Sequence, residues 1–282
     1  VSQAERFIEC PGARLRIVVD APDDAPDAPP ITMLASALVN LHAWDAMTPR
    51  LVGAGYRVLR YDYRGFGGST AEAADFSNRA DLRAVLDDLG IERTAVVGNS
   101  YGAMIALDSV LEMPERFVAL VWVGGGIGGY QGGYEDLPEE LELFEAYDKA
   151  ETAGDIDAMV DLDIRIWVDG IGQPPDRVSP EIREMVRTMD RPHVAPDRVT
   201  GKPISLEPWA DERLDAIAVP TLVVVGELDT SGTRRAAERL ATSAPDARLE
   251  SWPGIAHMVG MEAPERLADA IVDFLAPLAR WR

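Results

Sequence analysis

The 282-residue chain has one cysteine, three histidines and two lysines, Lys149 and Lys202. With Cys10 alone, no intramolecular disulfide can form and a cysteine-based zinc site is excluded, so a reducing compartment is expected. No apolar run approaches the roughly 18 residues of a membrane span. Val1 to Cys10 lacks the basic start and apolar centre of a secretory leader. The expectation is a cytoplasmic protein with no membrane partner. Positive charge is also scarce: 27 basic against 48 acidic residues give a net charge of -21. So acidic a chain argues against nucleic acid as a partner; solubility or adaptation to salt is the expected role of the charge. Repeats and low-complexity segments are absent. Any histidine-dependent chemistry falls to His42, His193 or His257.

Hydrophobic residues make up 47% of the chain, ample for one large domain with an insertion. Phe7 to Cys10 and Leu15 to Asp20 read as antiparallel strands around Pro11-Gly12-Ala13. Short apolar runs at Ile31 to Ala35, Tyr56 to Tyr61, Thr94 to Gly98 and Phe117 to Val123 read as further strands. A helix is expected to start near Trp44. Leu82, Val85, Leu86 and Leu89 mark one face of another over Ala80 to Leu89, and a third runs from the serine turn to about Glu112. Strands alternating with amphipathic helices indicate an α/β fold with a mostly parallel sheet covered on both faces.

After Val123 the rhythm breaks. Gly124 to Gly133 contains seven glycines, and Tyr134 to Thr200 has helical periodicity without a strand, with helices expected over Leu137 to Ala153, Asp155 to Val168 and Pro180 to Asp190. The rhythm returns with helix Trp209 to Ala216, strand Thr221 to Gly226, helix Thr233 to Ser243, strand Arg248 to Trp252 and helix Glu262 to Ala276. The chain divides into a first core part (1–127), a helical cap (128–208) and a second core part (209–282).

The chemistry centres on Gly98-Asn99-Ser100-Tyr101-Gly102, where an apolar strand runs into a serine flanked by glycines and then into a helix. So sharp a turn strains the serine backbone, and glycine-sized neighbours let strand and helix close around it. A serine hydroxyl needs a base within hydrogen-bond reach and a third group to orient that base. His257 is favoured as base because the loops after parallel strands share one edge of the sheet. His42 lies on the same edge and suits a wall or loop-bracing role better; His193, in the cap, reads as surface or pocket lining. For the orienting acid Asp229 is preferred, with Glu227 the rival. An oxyanion needs two donors: the Tyr101 backbone NH at a helix N-terminus, and a second from the loop Ser36 to Val39.

Four motifs occur in order: Gly98 to Gly102 (GNSYG), Asp62 to Ser69 (DYRGFGGS), Val219 to Asp229 (VPTLVVVGELD) and Gly254 to Glu265 (GIAHMVGMEAPE). By these the chain resembles the α/β-hydrolase family over nearly its whole length. The resemblance implies an eight-stranded sheet with a helical cap, Ser100 as nucleophile, Asp229 as acid and His257 as base, with no cofactor and no metal. Serine at the elbow, where haloalkane dehalogenases and epoxide hydrolases carry aspartate, argues against those branches. The usual His-Gly after the third strand is replaced by Ser36-Ala37-Leu38. That form, with His42, Trp44 and Asp45, is similar to 3-oxoadipate enol-lactonases and implies the Leu38 NH as second donor.

The expected activity is hydrolysis of a small ester or lactone by a monomer or homodimer. Carbon–carbon bond hydrolysis, cofactor-free haloperoxidation and a ligand sensor with a slow triad are alternatives. His42, Met159, Trp167 and Met258 are expected around the substrate. Ile164, Ile166, Met185 and Met189 are further lining candidates, although helical spacing also fits cap packing. Arg165, Arg183, Arg187 and Arg191 are candidates for binding a substrate carboxylate, with solvated surface the commoner role.

Overall fold

The computed structural model describes residues 2–132, 137–199 and 201–281. Gly133, the last glycine of the glycine-rich run, Tyr134 to Asp136 and Thr200, all within the expected cap, lie outside them. β1 (Ser2–Cys10) and β2 (Ala13–Ala21) form an antiparallel ribbon longer than the apolar residues alone mark out. β3 (Pro30–Leu34), β4 (Arg57–Tyr61), the two-residue β5 (Thr70–Ala71), β6 (Thr94–Asn99), β7 (Phe117–Val123), β8 (Thr221–Gly226) and β9 (Ala247–Trp252) complete the sheet. Eight strands run in the order β1-β2-β4-β3-β6-β7-β8-β9, and β5 pairs with β2. Every neighbouring pair from β4 to β9 is parallel, while β1 and β2 are joined on antiparallel.

The parallel strands are buried on both faces because alternate side chains feed separate cores. Along β7, Leu120 and Trp122 enter one core, which also receives α2 (Asn78–Asp88), α3 (Tyr101–Glu112) and α7 (Ser231–Ser243). Ala119, Val121 and Val123 enter the other, with α1 (Thr48–Gly53) and α9 (Pro264–Leu275). Between β7 and β8 lie α4 (Pro138–Ala153), α5 (Ile156–Asp163), a π-helical stretch Ile164–Gly170 and α6 (Pro180–Asp190). Leu143, Ala150, Met159, Leu162 and Ile166 form a third, smaller core inside this insertion.

Four expected helices differ. Trp44 ends the 3-10 turn Leu41–Trp44, and α1 begins at Thr48, where Pro49 suits a first turn. The helix expected over Asp155 to Val168 is α-helical only to Asp163, then widens to the π form. Ala210–Ala216 is 3-10. The last helix is broken by Pro264, which cannot donate to the preceding turn, into α8 (Val259–Glu262) and α9. Among the described residues no helix is long and apolar enough to cross a membrane.

Close backbone approach fixes where α3 starts. A Cβ at Gly102 would lie 2.2 Å from the Leu34 carbonyl oxygen, and one at Gly98 would lie 2.2 Å from the Gly102 oxygen. Neither neighbour is a side chain that can swing away. Gly102→Ala is therefore expected to destabilise the protein by about 1–3 kcal/mol, the usual cost of overpacking, or more. Thermal denaturation checks this, and a wild-type melting temperature would refute the close approach.

Candidate active site

Ser100 sits between β6 and α3 with φ 57° and ψ -117°, the only non-glycine residue at positive φ among those described. Its backbone is fixed from both sides. The Ser100 NH donates to Val123 O at 2.9 Å, and the Ser100 carbonyl accepts from the NH groups of Ala103 and Met104. Strain of this kind persists only where the surroundings over-determine it. Asn99, the residue before, donates through Nδ2 to Val123 O at 3.1 Å and to His257 O at 3.2 Å. The end of β6 is thereby tied to the loop that carries His257.

His257 follows β9, and Asp229 follows β8. The imidazole Nδ1 lies 3.0 and 2.9 Å from the two Asp229 oxygens, and both residues are buried. Asp229 Oδ1 also accepts from the Thr230 NH at 2.7 Å, which leaves the carboxylate well supplied with donors. Two glycines make the approach feasible. A Cβ at Gly226 would meet the Ile255 and Ala256 carbonyl oxygens at 2.2 and 2.4 Å, and one at Gly124, which has φ +50°, would lie 3.1 Å from Asp229 Oδ2.

The helical insertion is fastened to these loops. Arg177 donates to Asp169 O and Val168 O at the end of the π-helix, and through Nη1 to Gly254 O and Glu262 Oε2 at 2.9 and 2.5 Å. Glu262 Oε1 in turn accepts from the Ala256 NH. Burial pushes the Glu262 carboxyl up, against the pull of Arg177. On α4, Glu140 accepts from the Ser231 NH and hydroxyl at the start of α7. Trp167 lays its ring 4.6 Å, centroid to centroid, from that of His257.

Ser100, Tyr101, His257 and Trp167 line one cavity of about 310 Å³, with Met104, Ile127 and the Gly124–Gly126 run among its other walls. Its surroundings are mostly apolar, with hydroxyl and imidazole converging in it. Such a site suits proton-assisted attack by an oxygen nucleophile on a small molecule. Among the described residues no group of three or more His, Cys, Asp or Glu is arranged to hold a metal ion.

Several candidates fall elsewhere. Glu227, the rival acid, is exposed. The expectation that His42, Met159 and Met258 line the pocket is corrected by their packing. The His42 side chain is exposed and paired to Asp45 at 2.8 Å. Met159 is buried inside the insertion's own core, and Met258 is fully buried beneath the sheet. His193 is buried beside the Phe66 ring, not at the surface, and burial drives its imidazole down to about 4. Arg183, Arg187 and Arg191 are paired to Asp169, Asp161 and Asp157, and Arg165 is exposed. Leu38 is absent from that cavity's lining; its NH donates to Ser36 Oγ at 3.3 Å. Asn99, Gly124, Arg177 and Glu140 were not singled out by sequence. Asn99, inside the GNSYG motif, and Gly124, in the glycine run, left a signal; Arg177 and Glu140 left none.

A model of the alpha/beta hydrolase family matches residues 38–270. The 2-hydroxy-6-oxononadienedioate/2-hydroxy-6-oxononatrienedioate hydrolase of Paraburkholderia xenovorans is 29% identical over 231 residues, 80% of this chain and 78% of its own. Two solved structures share the fold. The enol-lactonase from Burkholderia xenovorans superposes with a TM-score of 0.77 at 21% identity, covering 96% of this chain and 100% of its own. The naproxen esterase from Bacillus subtilis does so with 0.75 at 22%, covering 98% and 92%.

The backbone strain at Ser100 can be measured. At an ordinary interior position glycine is about 0.5–1 kcal/mol less stabilising than alanine. At φ 57° the order should reverse, because only glycine adopts that region freely. Ser100→Gly is therefore expected to melt no lower than Ser100→Ala. The ordinary order in a denaturation comparison would show the position unstrained.

Proposed function

We propose, for a chain that belongs to the alpha/beta hydrolase family, that it is a serine hydrolase cleaving a small carboxylic ester or lactone through an acyl-enzyme. The observation that carries this reading is the meeting in one cavity of a strained Ser100 and of His257, whose Nδ1 faces both Asp229 oxygens. With Nδ1 donating to Asp229, the neutral imidazole keeps Nε2 as a lone-pair acceptor. Nε2 takes the Ser100 proton as Oγ attacks the carbonyl carbon. The imidazolium is stabilised by the Asp229 carboxylate, then returns the proton to the departing alkoxide. A water molecule repeats the sequence on the acyl-enzyme, releasing the acid and restoring the serine.

The tetrahedral oxyanion is held by the Tyr101 NH, at the N-terminus of α3, where the helix dipole favours negative charge. The Leu38 NH is the second proposed donor. At 3.3 Å its bond to Ser36 Oγ is long and open to exchange when an oxyanion arrives. The insertion, in the role of a cap over 128–208, sets substrate size through Trp167. All groups of the mechanism come from one chain, so a monomer or homodimer serves equally.

Carbon–carbon bond hydrolysis is a second reading, favoured by the similarity over 80% of the chain to a hydrolase named for a hydroxy-oxo-dienedioate. The two part on substrate preference: kcat/KM is measured for p-nitrophenyl esters and simple lactones against a 2-hydroxy-6-oxo-dienoate. A burst of p-nitrophenol equal to the enzyme concentration supports the acyl-enzyme and excludes a mere sensor.

Ser100→Ala is expected to lower kcat at least about 10³-fold while leaving the fold intact, since oxyanion donors and binding alone leave only a small residual rate. Near wild-type esterase activity would end the reading. For the cap role, Trp167→Ala should change the ranking of kcat/KM among acyl chain lengths. A uniform loss across all lengths would instead give Trp167 a part in the chemistry.

A further inference from the structure

A second cavity, of about 230 Å³, shares Tyr101 with the first. Ser100 and His257 are not among its walls, so the mechanism above makes no use of it. Phe66, Phe76 and Tyr101 give it an aromatic lining, and Ala37 brings in the loop that carries the proposed second oxyanion donor. Two arginines also line it, Arg64 and Arg198. Arg64 is committed, since it holds Asp81 through two bonds of 2.7 Å.

Arg198 is held in place without being neutralised. Its Nε donates to Gly65 O at 3.1 Å and its Nη1 to His193 O at 3.3 Å, while the guanidinium carbon lies 4.1 Å from the centre of the Phe66 ring. Both acceptors are uncharged carbonyls. Among the described residues no carboxylate pairs with Arg198, and its Nη2 makes no bond, whereas Arg60, Arg79 and Arg177 each hold a carboxylate. Burial lowers the half-buried guanidinium from its ordinary value, a cost that an arriving anion relieves. In the same lining Asn78, 7% exposed, donates Nδ2 to the Tyr101 hydroxyl at 2.6 Å. With that oxygen accepting, the phenol proton is left to donate, and no described residue accepts it. Burial raises the Tyr101 phenol, so that proton stays in place.

We propose that this second cavity is a carboxylate subsite, with Arg198 as the cationic partner and the Tyr101 hydroxyl, backed by Asn78, as a further donor. The aromatic walls take the apolar body of the acid. An amide or alcohol of the same shape is a poor guest, because it leaves the guanidinium unpaired, whereas a carboxylate accepts charge-assisted bonds from it. A lysine in place of Arg198 offers a point charge and not a planar fork already oriented by two carbonyls. The bound anion also ties the insertion, which carries Arg198, to Asn78 and Tyr101 of the core. Its carboxylate comes either from the substrate, as the free acid end of a half-ester or lactone, or from a separate small acid. Because Tyr101 belongs to both cavities, either source places its charge beside the catalytic cavity.

The binding arm of the test is independent of the hydrolase reading; the kinetic arm rests on it. By isothermal titration calorimetry, the wild type should bind benzoate at least about tenfold more tightly than benzamide. Arg198→Gln should weaken benzoate about 10- to 100-fold, the worth of a charged hydrogen bond, and so erase that preference. Arg198→Lys, which keeps the charge, should weaken it by a smaller factor and replaces the glutamine variant if that one melts low. Absence of a preference for benzoate in the wild type overturns the subsite and needs no variant to fold. Wild-type benzoate affinity in the folded variants overturns it equally. The source is read from turnover of p-nitrophenyl hydrogen glutarate against p-nitrophenyl pentanoate. If the carboxylate is the substrate's own, Arg198→Gln lowers kcat/KM for the glutarate at least about tenfold more than for the pentanoate; an equal effect on both assigns the subsite to a separate acid. Benzoate bound through Arg198 by a protein inert toward both esters keeps the subsite and sinks the hydrolase reading instead.

Discussion

Steric exclusion of side chains at the carboxyl ends of β3 and β6 is the constraint on which the site depends. Gly98 and Gly102 let α3 begin within van der Waals contact of the Leu34 and Ala35 carbonyls, and Ser100, caught between them, is left at φ 57°. The strain is sustained by ordinary bonds on every side. Asp62 shows how far the arrangement extends: its two oxygens accept from the Leu41 and Gly68 amides, both at 2.8 Å, and Gly67 keeps a Cβ away from that carboxylate. The DYRGFGGS turn thus braces the loop after β3 beside the elbow.

What the sequence reveals depends on how local the cause is. β7 is marked by seven consecutive buried residues between Pro114 and Gly124, and its ends coincide with the apolar run. α6 is likewise bounded by Ser179, which accepts from the Ile182 NH, and Pro180. The Ile164–Gly170 stretch is not legible this way, because apolar spacing does not distinguish an α-turn from a wider π-turn. Ser100, Asp229 and His257 are legible as a meeting point because parallel topology sends the loops after β6, β8 and β9 to one edge. The pocket walls are not. His42 suggests chemistry by its type, yet Asp45, three residues on, engages it; Met159 and Met258 are apolar residues that the packing claims. Asn99 and Arg177 act through partners 158 and 77–85 residues away, and no local pattern announces those partners.

Polar groups inside the fold are arranged as long-range ties. Buried Arg60 reaches Asp20 and Asp45, joining β4 to β2 and to the loop after β3. Arg64 and Asp81 pair through two bonds of 2.7 Å, both side chains buried, fixing α2 to the turn before it. Breaking either by removing one partner strands a charge, which costs more than the intact pair contributes. Arginine suits this work, since its planar fork can serve several carbonyl and carboxylate acceptors at once. The abundance of acid over base leaves such arginines with partners in reach.

The clamp made by Arg177 couples two parts of the cavity wall. The π-helix that carries Trp167 is held by its terminal carbonyls to the same guanidinium that grips the His257 loop at Gly254 and Glu262. Swinging that wall outward would unseat the imidazole along with it. The boundary of the cavity also includes the glycine-rich strand exit at Gly124–Gly126, with Tyr130 and Gln131. That side is anchored too: the Gly124 NH donates to Val224 O, Val123 O holds the Ser100 NH, and a side chain at Gly124 would crowd Asp229, so two facing walls of one small room are each tied to the residues that meet inside it.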